Sequence, residues 1–155
     1  MNKRWRRWIV IAVTALIAWM LSHYWLQLAV VIGDSMEPTY HNLQFVLLDK
    51  HTRSLERGDV IAFRNEATDG YLIKRVIALP GDSVLIDNGI LYVNGEVSSL
   101  YSNEEIAYAG IAENEISLTT NEYFVIGDNH EYSRDSRYEE IGCVYNTEII
   151  GRVIE

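Results

Sequence analysis

The chain has 155 residues, 48% hydrophobic and 23% charged, which suits one ordinary domain and excludes a disordered tail. Its net charge is −9, yet Lys3, Arg4, Arg6 and Arg7 all fall within the first seven positions, so only nine of the 13 basic residues remain to face 22 acidic ones. That acidic body argues against nucleic acid as a partner, and a lone cysteine, Cys143, makes neither an intrachain disulfide nor a multi-cysteine metal site.

From Trp8 to Gly33 there is no Asp, Glu, Lys or Arg. A bilayer needs roughly 20 mostly apolar residues in a helix, which predicts an anchor over about residues 8–27. Trp5, Trp8, Tyr24 and Trp25 stand near its ends, where aromatic rings favour the interface, and His23 falls at the same level. The basic residues 1–7 are expected to stay cytoplasmic, with residues 28–155 on the outer face of the cell membrane. A cleaved signal peptide is the rival reading, but the apolar run is long and no clear small-x-small site follows it.

Beyond the anchor the helical period disappears. Short runs rich in Val, Ile, Leu and Tyr predict strands at Leu28–Ile32, Leu43–Leu48, Asp59–Phe63, Tyr71–Leu79, Val84–Ile86, Ile90–Val93, Tyr123–Ile126 and Glu148–Ile154. Asn88–Gly89 sits between two of them as a hairpin signal, and "LPGD" at 79–82 marks another turn. Residues 98–121 are polar and acidic, and read as a solvated excursion with at most one short helix. The fold expected is a mostly β, antiparallel domain preceded by one transmembrane helix.

Three stretches carry candidate chemistry. "GDSMEPTY", residues 33–40, presents Ser35 between Gly33 and Pro38, as a nucleophile or as a turn residue. In "YLIKRVIAL" alternation puts Lys74 on one strand face with Leu72, Val76 and Ala78. A lysine held there is costly when charged, so burial would lower its pKa and make it a general base; otherwise it snorkels to water. "GDNHEYSRDSR", residues 127–137, packs ionic and hydroxyl groups into one loop, either a dense network or an exposed polar surface. His130 in that loop is a further candidate base beside Ser and Asp, although a plain loop histidine is the simpler reading. His41 and His51 read as exposed loop residues. No His-Glu-x-x-His or other metal-ligand spacing occurs.

"GDSMEPTY", "GDVIAF", "YLIKRVIALPGDSV" and "GDNHEYSRDSR", in this order behind an apolar segment, resemble the motifs of type I signal peptidases, most closely the single-anchor Gram-positive branch. The resemblance runs from the anchor nearly to the end of the chain and is weakest over residues 98–121. It implies a β-rich catalytic core lying against the membrane and a Ser-Lys serine endopeptidase. Its substrates would be secretory preproteins, cut after small residues of the Ala-x-Ala type. By matching positions, Ser35 is the nucleophile, with its own backbone N–H in the oxyanion site, and Lys74 is the general base. Ser133 orients the lysine, and Asp128, Asp135, Ser136, Arg137 and Arg75 support the site. No metal or cofactor is implied. The chain departs from the pattern at His130, where Arg is common, at Tyr132, where Asn is common, and at Gly33, where some relatives carry an oxyanion-donating serine. Two other functions are weighed beside it. A self-cleaving repressor-type protease carries a soluble DNA-binding part, against which the apolar anchor and the acidic body argue. A non-enzymatic assembly factor for surface proteins would usually lack the nucleophile or the base. A peptidase tied to one pathway, with few substrates, fits the same residues.

Overall fold

The computed structural model describes residues 3–51, 54–65, 68 and 70–154, with only the backbone of residues 3 and 21–23. The side chain of His23 therefore lies outside the described residues. Helix α1 runs over Lys3–Trp25 and leads directly into β1, Leu26–Val30. Leu26 and Gln27, expected inside the anchor, belong instead to β1, because "LQLAV" alternates at the strand period and pairs antiparallel with β2, Phe45–Asp49, from Leu26↔Asp49 to Val30↔Phe45. Every described side chain from Arg4 to Met20 is exposed, apolar ones included. Among the described residues no helix is long and apolar enough to cross a membrane.

The body is built of antiparallel strands. β3 (Val60–Arg64), β4 (Tyr71–Ala78), β5 (Ser83–Asp87), β6 (Ile90–Val93) and β7 (Glu96–Val97) follow in order. Then come β8 (Ile116–Ser117), β9 (Glu122–Ile126), β10 (Val144–Tyr145) and β11 (Ile149–Ile154). Seven strands form one sheet in the order β1-β2-β11-β3-β4-β9-β10; the other four form a second, β7-β6-β5-β8. All but β7, β8 and β10 are anticipated by apolar alternation; a two-residue strand has no period to detect. Asn88–Gly89 closes the β5–β6 hairpin as a two-residue turn, with Asp87 opposite Ile90 and φ of 49° and 79° at the two turn residues.

The acidic stretch 98–121 is not the solvated face its composition suggests. Tyr101, Ile106, Ala112 and Leu118 are buried against Ile86, Leu91, Phe124 and Ile126, so the excursion roofs the second sheet. It contains β8 and a short 3-10 turn, Gly110–Glu113. Its burying residues are scattered among acids, with neither period 2 nor 3.6, and that hides them from a pattern reading.

Candidate active site

Three elements converge on Ser35. The chain leaves β1, and the N–H of Val31 donates to Gln44 O while Gly33 N–H donates to the Asn42 side chain at 3.0 Å. Gly33 lies at φ 93°, in the left-handed region that a side chain would strain. Met36 is fully buried beneath the turn and fixes Ser35 above the β-sheet core. β4 supplies Lys74, and the loop after β9 closes the third side: Asn129 donates its backbone N–H to Ser35 O at 3.1 Å and its side-chain amide to Asp34 O at 3.1 Å.

The Lys74 side chain does not snorkel. Lys74 is 2% exposed, and its Nζ donates to Ser35 Oγ at 2.7 Å and to Ile73 O at 2.9 Å. Burial lowers the amine's pKa from 10.5 to about 8; the charges of Asp135 and Asp128 pull it upward, and that of Arg137 pushes it down. At neutral pH roughly a tenth of the lysines are therefore free amines, competent to accept a proton. The N–H of Ser35 has no acceptor among the described residues, which leaves it open to a developing oxyanion.

The loop 127–137 is the dense network rather than the exposed surface. Asp135 and Arg137 are both 0% exposed. Arg137 Nε and Nη2 donate to the two carboxylate oxygens of Asp135 at 2.8 and 2.9 Å. Its remaining reach is taken by the carbonyls of Tyr108, His130 and Ser133. Asp135 also accepts from Gly127 N–H at 3.0 Å. Ser136 Oγ accepts from Val125 N–H at 3.0 Å, tying the loop to β9. Arg75 grips both oxygens of Asp128 at 2.8 and 2.6 Å. Burial would raise the Asp128 pKa, but the hydrogen bonds from Arg75, Thr39 and Tyr101 outweigh it and hold the carboxyl below its usual range.

Ser133 takes a different role from the one the resemblance implies. Its hydroxyl donates to Asp135 at 2.6 Å, and the Lys74 amine is oriented by the Ile73 carbonyl. Nor does His130 reach Ser35 Oγ, whose described partner is Lys74. Tyr101 is a supporting residue that pattern reading missed: its hydroxyl donates to Asp128 at 2.8 Å from within the acidic excursion. Asn129, inside the quoted loop motif, was not singled out either; its dual grip on residues 34 and 35 depends on tertiary approach.

That approach requires glycine at 127. A Cβ there would lie 2.2 Å from Ser133 Oγ and 2.4 Å from Ser35 O. Gly127→Ala is expected to cost about 1–3 kcal/mol of stability by urea denaturation and to slow turnover, since the Ser35 carbonyl must move.

A family model described as signal peptidase, peptidase S26, matches residues 4–155. The chain belongs to that family. Within the signal peptidases, it is 34% identical over 145 residues to signal peptidase I S of Bacillus subtilis (strain 168), covering 86% of this chain and 77% of the relative. It is 30% identical over 175 residues to signal peptidase IB of Staphylococcus aureus, covering 99% and 89%. A solved signal peptidase I from Enterococcus faecalis superposes with a TM-score of 0.54 at 29% identity, covering 66% of this chain and 98% of that one. The mostly β body is thus that of a signal peptidase, and the Ser35–Lys74 contact lies inside the matched region.

Proposed function

We propose that this chain is a serine endopeptidase that removes signal peptides from secretory preproteins, with Ser35 as nucleophile and Lys74 as general base. The observation that carries it is the 2.7 Å contact between Ser35 Oγ and a buried lysine amine whose pKa is brought to about 8. The neutral amine takes the Ser35 proton as Oγ attacks the scissile carbonyl. The resulting ammonium gives that proton to the leaving amine, and an acyl-enzyme remains. The same amine then deprotonates a water, which releases the acyl group and restores Ser35. Throughout, Asp128 and Asp135 stabilise the ammonium form from a distance.

The substrate segment binds extended. Among the described residues β1 is an edge strand, paired only with β2, and β4 has no partner beyond β3 over Tyr71–Lys74 because β9 joins it from Arg75 onward. Between these two open edges runs a groove of about 350 Å³, floored by Met36, Leu48, Ala62 and Ile150 and reaching Ser35 and Lys74. An extended peptide there adds to strand edges, and a shallow apolar floor suits small residues of the Ala-x-Ala kind.

The bilayer is the second partner. In support, α1 exposes Trp8, Ile11, Leu16 and Trp19, and the adjoining sheet face exposes Leu28 opposite Leu47 and Val30 opposite Phe45. Apolar surface so continuous marks an interaction site. With the helix inserted and residues 1–7 cytoplasmic, the groove lies at the outer membrane–water boundary, where a preprotein's own apolar segment delivers its cleavage site.

The pH profile tests the base. Hydrolysis of a signal-peptide substrate should rise about tenfold per pH unit and level off near pH 8. A profile that levels off near pH 6.5 and loses that inflection in His130→Ala would transfer the role to a histidine.

A further inference from the structure

The groove that reaches Ser35 does not end with its apolar floor. Gly70, Tyr71 and Ile150 line it and also line a wider, open recess of about 960 Å³, so the two meet there. The register of β3 and β4 shows where the lining changes. Ala62 faces Ile73, and both are buried. Two residues further along each strand, about 7 Å away, Arg64 faces Tyr71, and both are exposed. Residues paired in this way share a sheet face, as do alternate residues along a strand. Arg64 and Tyr71 therefore extend the face on which Ala62 and Ile73 line the groove. Every other described arginine of the β body holds a carboxylate, whereas Arg64 pairs with none among the described residues. Glu148, which also lines the recess, turns its carboxylate to the Tyr145 N–H at 2.7 Å.

We infer that Arg64 and Tyr71 form a further specificity subsite, which takes a carboxylate side chain on the fifth residue before the cut. The inference deepens the proposed cleavage and rests on it. An extended peptide turns alternate side chains to one face, at the same two-residue spacing as the strand it lies along. Small residues one and three positions before the cut occupy the apolar floor. The next side chain directed at that face is the fifth, and it falls on the Arg64–Tyr71 pair. There the guanidinium offers a planar fork of N–H donors that matches a carboxylate, and the Tyr71 hydroxyl carries one more donor. The acidic body as a whole attracts basic peptides, so a preference for an acidic residue at this one position marks the local cation.

The test uses the full chain in detergent micelles and three signal-peptide substrates that differ only at the fifth residue before the cut, which is Glu, Gln or Lys. The wild type should cleave the Glu peptide with a kcat/KM about fivefold above that of the Lys peptide at low ionic strength, as befits an exposed ion pair. The ratio should fall towards one in about 0.5 M salt. Arg64→Glu should invert the order and Arg64→Gln should level it, while all three proteins cleave the Gln peptide alike. Equal cleavage of the Glu and Lys peptides by the wild type, or a preference for Glu that survives in Arg64→Glu, would overturn the subsite. Binding of the same peptides, labelled and followed by fluorescence anisotropy on the Ser35→Ala chain, reads the subsite without chemistry and should give the same order of Kd. A wild type that cleaves none of the peptides would reject the cleavage reading, and the Kd order then decides the subsite alone. Equal affinities, or no binding, would overturn it.

Discussion

Lys74→Met should abolish cleavage and stabilise the fold at the same time. Turnover is expected to fall by about 10⁴-fold or more, because the nucleophile and its base act as a unit and neither is useful alone. Stability is expected to move the other way. The unfolded chain keeps this lysine protonated up to pH 10.5, whereas the folded protein holds it at about 8. Between those values the unfolded state binds more protons, so this group's contribution to stability rises with pH. Below pH 8 the full cost is present, roughly 3 kcal/mol. Methionine fills nearly the same space without a charge and removes that cost, set against the loss of the bonds to Ser35 and Ile73. Urea midpoints at pH 7 should therefore increase. A variant both inactive and less stable would place the lysine among the structural groups instead.

The second large effect concerns Asp135 and Arg137. Removing either partner strands a charge that is wholly buried, at a cost of about 3–5 kcal/mol. Asp135→Ala also orphans the Ser133 hydroxyl and the Gly127 N–H. Replacing both, as Asp135→Ala with Arg137→Met, should cost less than the sum of the single changes, since the remaining charge disappears with its partner. The pair is also coupled to the dyad. The Asp135 charge raises the Lys74 pKa, so in Asp135→Asn the surviving activity should level off at a lower pH than in the wild type. Activity lost with an unmoved profile would assign Asp135 to scaffolding alone.

These couplings show what a linear sequence carries and what it does not. Lys74 stood out because a cation in an apolar strand is locally costly, but the strand alone left burial and snorkelling both open, and the structure buries it. The concentration of ionic residues in 127–137 likewise left two readings open, a network and an exposed polar surface. Its wiring did not follow: Ser133 donates to Asp135, a contact set by the folded loop rather than by residue order. The β5–β6 hairpin was legible in its Asn88–Gly89 turn, whereas the roof formed by residues 98–121 was not, because its few apolar residues are spaced to fit a particular sheet. The start of β1 was masked by continuity: an apolar helix runs into an apolar strand, and only the pairing with β2 separates them.

The most direct measurement is to incubate the full chain, in membranes or detergent, with a preprotein and to sequence the N-terminus of the product. The account predicts a single new N-terminus immediately after a small-x-small triplet, formed by the wild type and by neither Ser35→Ala nor Lys74→Ala. Cleavage that persists in either variant, or a preprotein left intact by a folded wild type, would contradict it.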